Sequence, residues 1–281
     1  MTDCAKIEGM KVWNAAKIMA SKGAARLPCV TAYDYAFARL ADAAGIPLLL
    51  VGDSLGMTVL GHASTLPVTM DAMLHHTAAV ARGTTSAMVV ADMPFLSYQV
   101  SVAEGLRNAG RFLQEAGADA VKIEGGTFRA ELVKTFVQNG IPVLGHIGLT
   151  PQSCNVIGGY KVQGKTRADA DRLIEDGQSL AAAGVFALVL ECVPPDIAAA
   201  VTAAVPVPVI GIGAGAACDG QILVMHDLLG LTADKPPKFV KAYAELAGTA
   251  RSAFAAYAAE VRAGVYPAPE HTYSAVGAVQ S

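Results

Sequence analysis

Short apolar runs alternate with amphipathic stretches along most of the chain. The runs are LPCVTAY (27–33), PLLLV (47–51), SAMVVA (86–91), DAVKI (119–123), IPVLG (141–145), VFALVL (185–190), PVPVIG (206–211) and QILVM (221–225). The stretches between them carry helical periodicity, and several close on glycine, near Gly45, Gly83, Gly117, Gly140 and Gly184. Continuous apolar strands that alternate with helices imply a parallel sheet covered on both faces. Eight of them predict an α/β fold, a closed (β/α)8 TIM barrel, with an open doubly wound sheet as the second choice.

A leading helix is expected from Trp13 to Lys22, ended by Gly23, within an N-terminal extension of residues 1–26. Ser101 and Glu104 have the spacing of a capping box. KFVKAYAELAGTARSAFAAYAAEVR (238–262) reads as a final helix, followed by a surface tail over 264–281. No linker or composition shift divides the chain, so residues 1–281 are expected to form a single domain. Two connections exceed the usual few residues, 54–69 and 146–165, and long loops after barrel strands tend to carry function.

Composition narrows the function. Hydrophobic residues are 53% and charged residues 16%, enough to fill a large core. A net charge of −3 gives no basic field for nucleic acid or anionic lipid. Residues 197–218 carry no charge, but Pro206, Pro208 and the glycines after them read as helix, turn and buried strand rather than a membrane span. Five scattered cysteines show neither a disulfide framework nor zinc spacing, which fits a reducing cytoplasm. MTDCAKIEGMK lacks the apolar centre of a signal peptide.

Chemistry in such barrels sits at the C-terminal mouth. The residues that follow the runs are Asp34; Asp53 with Ser54; Asp92; Lys122 and Glu124; His146; Glu191; the glycine loop GIGAG (211–215); and His226 with Asp227. Buried acids of this number need a partner, and a divalent cation is one. Asp53, Asp92 and Glu124 are the candidate ligands, since hard carboxylate oxygens suit Mg²⁺. Taken singly, each reads equally as a helix cap or an ion-pair partner. Lys122 and Glu124 share parity on one strand, so both side chains point to one side, as substrate anchor and ligand or as a plain ion pair. Glu191 closes the most apolar run and is the candidate general base, with holding a histidine or amide as the alternative role. Cys192 reads as a small buried residue, His146 as a structural histidine near the site, and His75 and His76 as a helix flank. GIGAG lacks the full dinucleotide spacing.

GYKVQGKT (159–166) matches the phosphate-loop pattern letter for letter and offers a P-loop nucleotide-binding protein as a rival. That motif needs a buried strand running into it, whereas TPQSCNVIG is polar and broken by proline and glycine.

TAYD (31–34), GDSLGM (52–57), GHASTLPVT (61–69), ADMPF (91–95), VKIEGG (121–126), HIGLTPQS (146–153), GGYKVQGKT (158–166), LECVP (190–194) and DGQILVMHD (219–227), with GIGAG, together resemble the ketopantoate (3-methyl-2-oxobutanoate) hydroxymethyltransferase family. The resemblance implies a barrel of the phosphoenolpyruvate/pyruvate superfamily. It also implies hydroxymethyl transfer from 5,10-methylenetetrahydrofolate to 3-methyl-2-oxobutanoate, giving 2-dehydropantoate for pantothenate and coenzyme A synthesis. It assigns Mg²⁺ to Asp53, Asp92 and Glu124, substrate contacts to Ser54 and Lys122 beside Asp53 and Asp92, and the proton-accepting role to Glu191. A high-order homo-oligomer, typically a decamer, is implied as well. Ala63 departs from the acid of the family's GHDSTLPVT block. Another Mg²⁺-dependent lyase or aldolase acting on a 2-oxo acid is the alternative within the same barrel.

Overall fold

The computed structural model describes residues 11–232 and 236–273. The first ten residues of the N-terminal extension and the end of the tail, from 274, lie outside the described residues. In chain order the elements are α1 (Ala15–Ala20), β1 (Leu27–Thr31), α2 (Tyr35–Ala43), β2 (Leu48–Val51), α3 (Leu55–Thr58), α4 (Met70–Arg82), β3 (Met88–Asp92), α5 (Val102–Gln114), β4 (Ala120–Glu124), α6 (Ala130–Gln138), β5 (Val143–Gly148), α7 (Cys154–Ile157), α8 (Arg167–Ala183), β6 (Ala187–Glu191), α9 (Pro195–Ala204), β7 (Val209–Ile212), β8 (Gly220–Leu223), α10 (Met225–Leu228) and α11 (Leu246–Arg262). The chain divides into two compact units. One runs to Met225 and takes in Lys238–Val240, and the other holds the remainder from His226.

The eight strands of the first unit close in sequence order, each parallel to its neighbours, with β8 pairing β1. All eight apolar runs of the sequence therefore become barrel strands. Ser54–Thr69 holds α3, and the 146–165 connection holds a 3₁₀ turn and α7. Seven residues, 213–219, join β7 to β8 without a helix.

The interior is filled by alternate residues of the strands: Leu27 and Cys29, Leu48 and Leu50, Met88 and Val90, Ala120, Leu144, Ala187 and Val189, Ile210, and Ile222. Ile18 of α1 joins this cluster and is fully buried, with Trp13 packed beside it. Lys11 pairs with Asp119 at 2.7 Å, Lys22 with Asp219 at 2.9 Å, and the Trp13 N–H donates to Ser86 O at 2.9 Å. Those partners lie just before β4, β8 and β3, so α1 closes the N-terminal end of the barrel. The opposite end remains for chemistry.

Local signals set several helix starts. Asp34 accepts from Phe37 N–H at 2.9 Å and caps α2, while Ser101 accepts from Glu104 N–H and caps α5. The final helix is shorter than its periodicity suggests. It begins at Leu246, where Glu245 accepts from Gly248 N–H, and not at Lys238. Phe239 instead lies against Gly213, where a Cβ would come within 2.7 Å of its ring. This packing draws 238–240 into the barrel unit. Among the described residues no helix is long and apolar enough to cross a membrane.

Candidate active site

Side chains alternate along a strand, and the inward positions that carry the core change character at the C-terminal end. On β3, Met88 and Val90 are followed by Asp92. On β4, Ala120 is followed by Lys122 and Glu124. On β5, Leu144 is followed by His146, and on β6, Ala187 and Val189 are followed by Glu191. One parity therefore builds the apolar layers and then a charged layer above them. The register places Asp92 beside Lys122 and Glu124 beside His146.

The charged layer is tightly connected. Lys122 Nζ lies 2.6 Å from Asp92 Oδ1 and 3.5 Å from Glu124 Oε1. His146 bridges two acids, with Nδ1 at 3.5 Å from Glu124 Oε1 and Nε2 at 3.3 Å from Glu191 Oε2. Asp53 reaches the cluster by another route. β2 ends at Val51, and past Gly52 the Asp53 N–H donates to Asp92 Oδ2 at 3.2 Å. Asp53 Oδ2 accepts from Gln152 Nε2 at 2.9 Å. The structure thus brings Asp53, Asp92, Lys122, Glu124 and Glu191 together, and it adds His146 as a full member of the cluster. Asp53, Asp92, Lys122 and Glu124 are buried, while the Glu191 side chain is 17% exposed. Glu191 is the last residue of β6 and stands at the open edge of the mouth, past the sealed apolar positions of that strand.

Burial pushes Asp53 well above the usual carboxylate range, and the neighbouring Asp92 adds to it. Burial raises Asp92 as well, with Lys122 opposing. Burial also works against the Lys122 ammonium, but Asp92, Glu124 and Asp53 outweigh it and raise that group. Glu124 is held below its ordinary value, because Lys122, His146 and the Gln152 N–H overcome its burial. For His146, burial and Lys122 favour the neutral ring, yet Glu124 and Glu191 prevail and hold it at about 9.

The fit to a cation rests on these donors. Four carboxyl groups surround two basic side chains, so full ionisation leaves a surplus of two negative charges. Glu124 Oε1 is buried without a hydrogen-bond partner. Hard oxygens with that surplus suit a small divalent ion such as Mg²⁺. Among the described residues, no three His, Cys, Asp or Glu side chains already converge as a metal-holding group. Asp92 Oδ1 turns to Lys122, and Gln152 engages one oxygen each of Asp53 and Glu124.

Ser54 precedes α3, and its Oγ lies 2.9 Å from the Tyr33 hydroxyl at the edge of the cluster. Cys192 follows Glu191 in the left-handed region, φ 50°, a conformation unusual for a side-chain-bearing residue. Burial pushes its thiol up to about 11, so no thiolate is available near neutrality. His75 and His76 lie on α4, where His76 Nδ1 meets Tyr33 O at 2.7 Å. The segment 159–166 follows α7 and not a strand, and Thr166 caps α8 by accepting from Asp169 N–H. The phosphate-loop reading therefore lacks its strand. The segment instead borders the mouth, with Gln163 N–H donating to Cys192 O at 2.8 Å.

Gln152 received no role from the sequence. Its block, HIGLTPQS, carries resemblance alone, and a glutamine in a loop gives no periodic signal that it will be buried.

The sequence matches the family model described as Ketopantoate hydroxymethyltransferase over residues 13–269. It is 57% identical over 248 residues to a 3-methyl-2-oxobutanoate hydroxymethyltransferase of Moorella thermoacetica, covering 88% of this chain and 92% of the relative. It is 59% identical over 257 residues to the protein of the same name from Syntrophobacter fumaroxidans, covering 92% and 91%. Among solved structures, it superposes on a phosphoenolpyruvate phosphomutase from Streptomyces platensis subsp. rosaceus with a TM-score of 0.59 at 17% identity, covering 93% and 92%. A 2,3-dimethylmalate lyase of the PEP mutase/isocitrate lyase superfamily gives a TM-score of 0.58 at 16% identity, covering 92% and 91%. The last two likenesses show a shared barrel fold. The chain belongs to the ketopantoate hydroxymethyltransferase family.

Proposed function

We propose that the chain transfers a hydroxymethyl group from 5,10-methylenetetrahydrofolate to 3-methyl-2-oxobutanoate, giving 2-dehydropantoate in the pathway to pantothenate. Family membership supports the reaction. The observation that supports this site is the charged layer at the barrel mouth, in which Glu191 is open to solvent above sealed Asp53, Asp92, Lys122 and Glu124. Asp53, Asp92 and Glu124 would hold Mg²⁺, which would supply Lewis-acid polarisation of the 2-oxo group.

The chain's own residues do the rest. The Lys122 ammonium faces the negative charge that develops on the substrate oxygen as C3 loses its proton. Ser54 anchors the substrate carboxylate through its hydroxyl, already oriented by Tyr33. Glu191 takes the C3 proton, and His146 at 3.3 Å steadies that carboxyl. The carbon electron pair left by that proton attacks the methylene carbon of the folate. Both C–N bonds that hold this carbon break with their electron pairs to nitrogen, one as the carbon becomes electrophilic and the other as water supplies the hydroxyl, and the C3 proton and a proton of that water end on the two nitrogens of the departing tetrahydrofolate.

We further place the enzyme in a reducing cytoplasm, supported by free thiols at Cys29, Cys154, Cys192 and Cys218. A homo-oligomer, decameric by family resemblance, is supported by Phe254, Tyr257 and Val261, exposed along one stripe of α11. The test of the reaction is incubation with 3-methyl-2-oxobutanoate and Mg²⁺ in deuterium oxide, with and without methylenetetrahydrofolate. Exchange at C3 in both arms and 2-dehydropantoate only with the folate are expected. Absence of exchange and product in both would overturn the proposal. Exchange or cleavage of other 2-oxo acids without folate-dependent product would indicate a lyase.

A further inference from the structure

Gln152 is 5% exposed and sits in the 3₁₀ turn Pro151–Ser153 after β5. It touches two of the three candidate ligand carboxyls with different parts of itself. Its backbone N–H donates to Glu124 Oε2 at 3.0 Å, and its side-chain Nε2 donates to Asp53 Oδ2 at 2.9 Å. Nε2 also donates to Met93 O at 2.9 Å. On the other side, Gln152 Oε1 accepts from the Tyr98 hydroxyl at 2.8 Å and from Gln99 Nε2 at 3.1 Å. A glutamine amide offers two donors and two acceptor sites, and here all four are used.

The full use of the amide fixes its orientation. A flipped amide would set Oε1 against the oxygens of Asp53 and Met93, and Nε2 against the donors of Tyr98 and Gln99. The Tyr98 hydroxyl is itself held, because it accepts from Glu124 N–H at 3.1 Å while donating to Gln152. Glu124 is thus tied to Gln152 both directly and through Tyr98. Such a closed, buried network has one low-energy arrangement.

We propose that Gln152, oriented by Tyr98, is a positioning residue that engages one oxygen each of Asp53 and Glu124 and so sets how their other oxygens meet a divalent cation. This rests on the metal reading given above. The other oxygen of Glu124, Oε1, lies 3.5 Å from both Lys122 Nζ and His146 Nδ1. A single residue thus ties Asp53, which lies beyond the end of β2, to Glu124 at the end of β4.

The test uses Mn²⁺ as a paramagnetic probe in the presence of 3-methyl-2-oxobutanoate, read by electron paramagnetic resonance on the full chain. Gln152→Met keeps the length and the backbone N–H but loses both amide donors. Loss of such an outer partner is expected to weaken ion binding by about 10–100-fold. Tyr98→Phe, which leaves Gln152 in place with Gln99 as the one remaining donor to its Oε1, is expected to weaken it in the same direction by less. Both variants are expected to change the line shape of the bound ion while melting cooperatively, a signature that a purely structural role would not produce. Wild-type affinity and line shape in both variants would overturn the role of Gln152 while leaving the metal reading intact. If Gln152→Met does not fold, the Tyr98→Phe result decides alone. Failure of the unsubstituted protein to bind Mn²⁺ would overturn the metal reading, and the positioning role with it.

Discussion

Lys122 and Asp92 are register partners on β4 and β3, and their charged ends meet at 2.6 Å with both side chains sealed from solvent. The same ammonium lies 3.5 Å from Glu124 Oε1, so it faces a second acid of the charged layer, while His146 serves Glu124 and Glu191. Removing one partner of a buried pair leaves the other uncompensated. Lys122→Met is therefore expected to lower stability by about 3–5 kcal/mol near neutral pH. Urea denaturation of the two proteins, without added metal, measures it. A loss under 1 kcal/mol would mean that the acids find another partner.

Glu191 is expected to act through its charge and not its shape. Glu191→Gln keeps the volume and the contact with His146 but removes the proton acceptor. Turnover should fall by about 10²–10⁴-fold, with C3 deuterium exchange lost in step. Binding of 3-methyl-2-oxobutanoate, followed by calorimetry with Mg²⁺ present, should be retained. Normal exchange in this variant would remove Glu191 from the base role.

Gly148 ends β5 beside Glu191 with φ 90°, and a Cβ there would lie 2.3 Å from Glu191 O. Gly148→Ala must therefore displace the end of β6, which carries the base. Turnover is expected to fall by about 10- to 100-fold, the upper figure being the cost of misplacing a reacting group by an ångström. Steady-state assay beside a melting curve separates this from simple unfolding. Full activity would show that the β5–β6 junction yields without moving Glu191.

Asp42, at the end of α2, accepts from Thr85, Ser86 and Ala87 backbone N–H groups and from the Thr85 hydroxyl, tying the helix to the start of β3. Burial alone would raise its carboxyl, but these donors outweigh it and hold the group below 3.8. A folded-state value below the unfolded one gives stability that is present above the unfolded value and lost as pH falls through the folded one. Asp42→Ala is thus expected to cost about 1.5–3 kcal/mol at pH 7, the scale of a hydrogen bond to a charged group. The difference from the unsubstituted protein should shrink in acid, below pH 3.8. Paired denaturation curves across pH 2.5–7, about the acid range in question, test this. A gap independent of pH would assign the effect to packing.

Much of the architecture is legible in the chain because strands and helices bury their apolar sides locally. The eight runs from LPCVTAY to QILVM each mark a strand, and parity on DAVKIE already sets Lys122 and Glu124 on one side. The glycine and cap signals at Asp34 and Ser101 were readable for the same reason: each depends on residues within one helical turn. Strand-end acids stood out because a charge after a core run is costly unless it is used.

The rest depended on closure. Asp53 is off the inward parity of β2 and reaches Asp92 only because β2 and β3 lie side by side. His146 reads as an isolated structural histidine until the register sets it between Glu124 on β4 and Glu191 on β6. The expected start of the last helix at Lys238 gave way to Phe239 packing on Gly213, a contact between distant parts of the chain. Gln152 is the clearest case, since neither propensity nor periodicity marks a loop glutamine for burial among Tyr98, Asp53 and Glu124. Periodicity in a sequence records which side of a local element is dry. Only the folded barrel decides which of those sides meet, because hydrogen bonds and charge pairs at its mouth join residues from different strands and loops.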